Sequence, residues 1–177
     1  FTMGTGDGAV SHSGRLSRGG YWRSSDVWPP QGTRLTEHYL HAGGGLSVER
    51  PGAGIAPSRF TLDPTDPVPT IGGSISAANP WMNPGAFDQR GGPRFVGSED
   101  GVPLNNRSDV LTFQTPELER DVEATGPITV KLWASSSAVD TDFTAKLIDV
   151  FPPTDRSPDG LAVNVTDSIM RARFRNG

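Results

Sequence analysis

The sequence predicts an all-β fold, a sandwich or jelly roll, on three observations. Glycine and proline are over-used, at 22 and 16 of 177 residues, and they fall between short apolar segments rather than in one tract. That placement marks many turns rather than a low-complexity tail. The segments between them alternate apolar and polar residues with a period of two, as half-buried strands do. No stretch has a convincing period of 3.6, and there is no internal repeat. Short strands joined by long crossovers are the pattern of sandwiches and jelly rolls.

Residues 1–32 read as an irregular lead-in segment, rich in Gly and Ser, with aromatic anchors at Tyr21, Trp22 and Trp28 before Pro29-Pro30. Residues 33–177 read as the jelly roll itself, incomplete. A first strand is expected from Thr33 to His41, stopped by Gly43-Gly-Gly45, and a second from Ser58 to Asp63 between prolines. The run Asp63-Pro-Thr-Asp-Pro-Val-Pro-Thr-Ile-Gly-Gly73 holds the chain extended while denying it ladder donors, so it predicts an ordered crossover loop. From Ser74 to Asn106 periodicity is weak over a long span, which makes this the best candidate for a segment packed against another domain.

The last seventy residues are cleaner. A short strand is expected over Val110–Thr115. In Ile128–Ser136, Ile128, Val130, Leu132 and Ala134 alternate with Thr129, Lys131, Trp133 and Ser135, which predicts one buried face. Phe143, Ala145 and Leu147 line one side of the next strand, and Ile148 and Val150 predict an end covered on both sides. Asp159-Gly160 turns the chain into Leu161–Val165. In the final strand Met170, Ala172 and Phe174 are expected to face in, and Arg171, Arg173 and Arg175 out.

Composition narrows the function classes. A length of 177 residues suits one domain with a sizeable core, and 20% charged residues with a net charge of -4 lie outside the disordered range. The sequence pI near 5.3 offers no basic field for nucleic acid or anionic lipid. With no cysteine there is neither a disulfide nor a thiolate metal site. No apolar run approaches the about 18 residues that span a bilayer. The start, Phe1-Thr-Met-Gly-Thr-Gly, lacks the regions of a signal peptide. A soluble protein, bacterial cytoplasmic or secreted, is expected. Both ends read as truncated: the first residues are an alternating fragment, and Asn176-Gly177 is a hairpin signal with no strand after it.

The chemical motifs are mostly silent. There is no Gly-x-Ser-x-Gly elbow, and Ser11-His12-Ser13 are sequence neighbours in a loop, where side chains seldom point at one another. Gly4-x-Gly6-x-x-Ala9 lacks the strand and helix that make a dinucleotide loop work. His38 and His41, three apart on an expected strand, face opposite sides and cannot share one ion. The acidic corner Asp140-Thr-Asp142 lacks the six to eight oxygens of a calcium loop. Its carboxylates are expected to satisfy backbone N–H groups. Asn106-Arg-Ser108 and Asn164-Val-Thr166 match the glycosylation acceptor, which matters only in a eukaryotic secreted protein. The outward arginines are expected to pair with Asp or Glu on a neighbouring strand. No cofactor is expected.

Several segments occur in a specific order: Trp28-Pro-Pro, Tyr39-Leu-His-Ala-Gly-Gly-Gly-Leu46, Asp63 to Gly73, Phe87-Asp-Gln-Arg90, Arg107-Ser-Asp-Val-Leu111, Val122-Glu-Ala-Thr-Gly-Pro127 and Ser135 to Val150. Together they resemble the C-terminal domain of the cocaine esterase family, grouped with X-prolyl dipeptidyl-peptidases, glutaryl acylases and α-amino-acid ester hydrolases. The resemblance implies a galactose-binding-like jelly roll packed on an upstream α/β-hydrolase domain. There a serine, a histidine and an aspartate would cleave a small ester or peptide. It carries no catalytic residue onto this chain. It implies a structural buttress, with a homo-oligomer as a further option and Trp22, Trp28, Trp81, Phe87, Asp140, Asp142 and Phe143 as candidate domain contacts. Two other readings stand beside it: a free-standing, sugar-binding sandwich using loop tryptophans, and a hydrolase site at Ser11 and His12.

Overall fold

The computed structural model describes residues 2, 4, 9, 17, 19–73, 86–92, 95, 97–98, 100–155 and 158–175. They form an all-β fold of four strands, β1 (Tyr39–Leu40), β2 (Leu46–Ser47), β3 (Asp142–Phe151) and β4 (Leu161–Arg171). Two 3-10 turns, Leu104–Asn106 and Ala172–Phe174, are the helical structure among the described residues. The chain separates into two compact units. The first comprises Phe1–Ser24, Thr70–Gly101 and Thr129–Gly177, and the second Ser25–Pro69 and Val102–Ile128.

The first unit is built on the β3–β4 hairpin. The strands pair antiparallel from Asp142↔Arg171 to Leu147↔Thr166, then from Ile148↔Asn164 to Phe151↔Leu161. The step leaves Val165 as an extra residue, a β-bulge. A bulge changes which side chains share a face. Here it sets Asn164 and Asp167, three apart, on the same side as Lys146. Gly160 closes the turn with φ 67°, and a Cβ there would lie 2.5 Å from the Phe151 carbonyl oxygen. Only glycine fits that position without strain.

The Phe87-Asp-Gln-Arg90 motif lies along the other edge of β4. Gln89 N donates to Ala162 O at 2.8 Å and Asn164 N to Phe87 O at 3.1 Å, around an antiparallel bridge from Asp88 to Val163. Arg90 completes the junction, donating from Nε to Asp88 at 2.7 Å and from Nη2 to Gly160 O at 2.9 Å. Over the Lys146 side of this sheet runs Ile71–Gly73. Gln89 Nε2 donates to Ile71 O at 3.1 Å, and a Cβ on Gly73 would overlap the Asp167 carboxylate. Ile71 (0% exposed) and Val163 (1%) are the best-buried side chains. Phe95, also buried, meets Phe87 edge to face with centroids 5.1 Å apart.

The second unit is held by polar clamps. β1 and β2 pair antiparallel, Tyr39↔Ser47 and Leu40↔Leu46, around the triple glycine, and Gln114 joins as a parallel bridge to Gly45. The crossover expected at residues 63–73 is ordered in its first part, where Asp63 Oδ1 accepts from Thr65 N at 2.8 Å and from Thr65 Oγ1 at 2.7 Å. Arg107 then reaches Asp66, donating from Nη2 to its carbonyl at 2.6 Å and from Nη1 to its carboxylate at 3.2 Å. The same guanidinium grips Asp109 through Nε and Nη2, both at 2.8 Å.

Several expected strands are corrected. Of Thr33–His41 only Tyr39–Leu40 enters a ladder, and Ser58–Asp63 and Ile128–Ser136 enter none. Val110–Thr115 contributes only the Gln114 bridge. Alternation specifies a face, but a ladder also needs a neighbour, and proline at residues 57 and 64 removes donors at both ends of the second segment. The two final strands are one, Leu161–Arg171, and the last turn is 3-10. Its three-residue period takes Phe174 off the two-residue alternation and leaves it exposed rather than inward, and Met170, still within β4 opposite Phe143, is exposed as well.

Candidate domain-contact site and acidic corner

The acidic corner closes the open end of the β3–β4 hairpin. Asp142 and Arg171 are cross-strand partners, and Arg171 donates from Nε to Oδ1 at 2.8 Å and from Nη2 to Oδ2 at 2.9 Å. Such a bidentate fork is the strong form of the ion pair. Asp140 accepts at Oδ1 from Thr141 N at 3.1 Å and from Arg173 N at 3.2 Å, while Arg173 Nε donates to Oδ2. Ala172 N donates to Thr141 O at 2.8 Å and carries the ladder one bond further. The expected backbone role therefore holds for Asp140, and Asp142 serves an arginine instead.

The electrostatics follow. Arg173 hydrogen bonding holds Asp140 below the ordinary carboxylate range, and Arg171 does the same for Asp142. Arg171 is shifted up in turn by Asp142. Two ionised, fully engaged carboxylates are poor general acids near neutrality. They form no metal nest either: no group of three or more His, Asp or Glu capable of holding an ion occurs among the described residues.

The aromatic candidates divide. Trp22 is 82% exposed in the first unit and Trp28 is 73% exposed in the second. Phe87 is half-buried against Phe95, and Phe143 is half-buried on β3 opposite Met170. Trp81 lies outside the described residues, as do Ser11, His12 and Ser13. Trp133, which the sequence placed on an outward face without singling it out, is 95% exposed.

One serine–histidine pair is present elsewhere. His41 Nε2 lies 2.9 Å from Ser47 Oγ and 3.0 Å from Glu49 O. A carbonyl oxygen only accepts, so the contact with Glu49 needs a proton on Nε2. That nitrogen then cannot take the Ser47 proton. The pair is a loop fastening rather than a nucleophile and its base.

A polar cluster under Ile71–Gly73 was not foreseen. Lys146 and Asp167 are cross-strand partners, with Nζ 3.7 Å from Oδ2, and Asn164 Nδ2 donates to the same oxygen at 3.5 Å. Lys146 Nζ, Asn164 Oδ1 and Gln89 Oε1 are buried without a hydrogen-bond partner among the described residues. The only sequence signal for this group was a lysine and an asparagine within strongly apolar strands.

Comparison with known proteins settles what kind of domain has this geometry. The chain matches the X-Pro dipeptidyl-peptidase C-terminal non-catalytic domain over residues 2–177. It belongs to that family. This C-terminal domain is 38% identical over 162 residues to the cocaine esterase of Rhodococcus sp. (strain MB1 Bresler), covering 87% of this chain and 25% of the relative. It is 26% identical over 156 residues to proteins named as serine esterases from Mycobacterium bovis and Mycobacterium tuberculosis, covering 87% of this chain and 21% of each. The domain thus spans about a quarter of the length of the curated relatives it matches. No solved structure gives a significant match. The all-β, non-catalytic reading stands, and a free-standing sugar-binding module is not favoured. No helix among the described residues is long and apolar enough to cross a membrane.

Proposed function

We infer that this domain buttresses the α/β-hydrolase domain of a serine esterase, whose catalytic serine, histidine and aspartate lie outside residues 1–177. The observation that carries the inference is the 38% identity to cocaine esterase, which covers most of this chain but a quarter of that enzyme. The internal chemistry supports it. Segments that carry the resemblance are spent on the domain's own bonds: Asp66 on Arg107, Arg90 on Gly160, Asp142 on Arg171. What remains outward includes Trp22 and Trp28, with rings large enough to anchor an interface. Phe87, Phe143, Asp140 and Asp142 are proposed to contribute within the first unit, by fixing its sheet and corner, and Trp81 completes the proposed set.

The parent enzyme would cleave a small ester or amide by serine acyl transfer, with specificity set by its hydrolase domain. A fluorophosphonate probe tests this directly. It should label the parent protein on a serine outside this chain, and hydrolysis of an activated ester should be lost with the labelling. Labelling of a serine within residues 1–177 would sink the reading.

A further inference from the structure

Three side chains beneath Ile71–Gly73 stand in an order that esterase support does not use. The Asp167 carboxylate lies between a primary amine and a primary amide, with Oδ2 3.7 Å from Lys146 Nζ and 3.5 Å from Asn164 Nδ2. The bulge at Val165 is what brings all three to one face. Asn164 is 2% exposed, and both its Oδ1 and Lys146 Nζ are buried without hydrogen-bond partners among the described residues. Leaving such groups unpaired is costly in a folded protein. The contrast with the corner is informative. Arg171 meets its aspartate with two good hydrogen bonds, whereas Lys146 sits near its own without making one.

We propose that Lys146 and Asn164 are joined by an intramolecular isopeptide bond, with Asp167 as the proton carrier. The Asp167 carboxylate takes a proton from the Lys146 ammonium, leaving a neutral amine whose lone pair attacks Asn164 Cγ. Asp167, now a carboxylic acid, gives its proton to Nδ2 and takes another from Nζ in the tetrahedral intermediate. The Cγ–Nδ2 bond breaks, the carbonyl re-forms, and ammonia departs and then accepts the proton left on Asp167. One C–N bond replaces another, so the step needs no oxidant, metal or cofactor. Burial of Asn164 contributes by keeping water from competing as nucleophile at its amide carbon. The product removes the unpaired amine and ties β3 to β4 covalently in a chain with no cysteine.

Mass spectrometry of the natively folded protein decides the matter. The intact mass should fall one ammonia short of the sequence mass, and digestion should give one branched peptide joining the stretch with Lys146 to the stretch with Asn164. Lys146→Arg and Asp167→Asn should each restore the mass expected from sequence, with circular dichroism verifying that the strands persist. A wild-type mass equal to the sequence mass, with two separate peptides, overturns the proposal and leaves Lys146 an ion-pair partner of Asp167. An ammonia loss that maps to a different asparagine, as a succinimide would, overturns it equally.

Discussion

Arg171 and Asp142 face each other across the first rung of the β3–β4 ladder, joined by two bonds of 2.8 and 2.9 Å. Arg173 holds Asp140 beside them. The hairpin is thus fastened at the end farthest from its Asp159-Gly160 turn, where strand pairs ordinarily fray.

Breaking the fork should loosen that end first. Arg171→Ala is expected to speed amide hydrogen exchange at Ala172 and Arg173 more than at Val163. Arg171→Lys, which keeps the charge but loses the planar fork, should fall between it and wild type. Unchanged exchange at residues 172 and 173 in the alanine variant would show that the clamp does not hold the end.

Acid should destabilise the domain, and the direction can be worked out. Asp140 and Asp142 are held low by their arginines, Asp109 by Arg107, and Asp63 by the Thr65 hydroxyl and amide. A carboxylate whose folded pKa is depressed stabilises the fold fully above its unfolded pKa of about 3.9, and that contribution is lost as pH falls through the folded value. The unfolding midpoint should therefore be flat from about pH 7 to 5 and fall steeply below about 4. Asp140→Asn with Asp142→Asn should flatten the fall. A midpoint that rises on acidification would contradict this account.

Two substitutions probe the centre of the first unit. Ile71→Ala empties a fully buried site and should cost about 2–5 kcal/mol in chemical denaturation. Gly160→Ala forces a side chain into a left-handed turn and against the Phe151 carbonyl, so it should cost at least the roughly 1–2 kcal/mol of that conformation. A neutral result at either position would mean that the turn or the core relaxes without penalty.

In the second unit Arg107 serves two aspartates at once. Arg107→Ala is expected to increase proteolysis within residues 63–69 more than Asp66→Ala does, because it also releases Asp109. Equal cleavage in the two variants would assign the whole effect to the Asp66 contact.

The hairpin was legible because Phe143, Ala145 and Leu147 alternate cleanly and Asp159-Gly160 names its own turn. The crossover at Asp63 was legible through its prolines. What escaped was partnership. Ile128–Ser136 has an unimpeachable strand pattern and no ladder, since periodicity carries no information about what lies alongside. Arg107 and Asp66 are 41 residues apart, and no local rule joins them. The Lys146 cluster was hidden for a further reason. Asn164 and Asp167 are three apart, which in a regular strand places them on opposite faces.

The interleaving of the two units bears on the order in which they can be completed during synthesis. The second unit has all its residues once position 128 has been made, including Arg107 and the aspartates it holds. The first cannot close then, because both of its long strands lie beyond Thr129. A ribosome therefore finishes every residue of the second unit before either long strand of the first has been made.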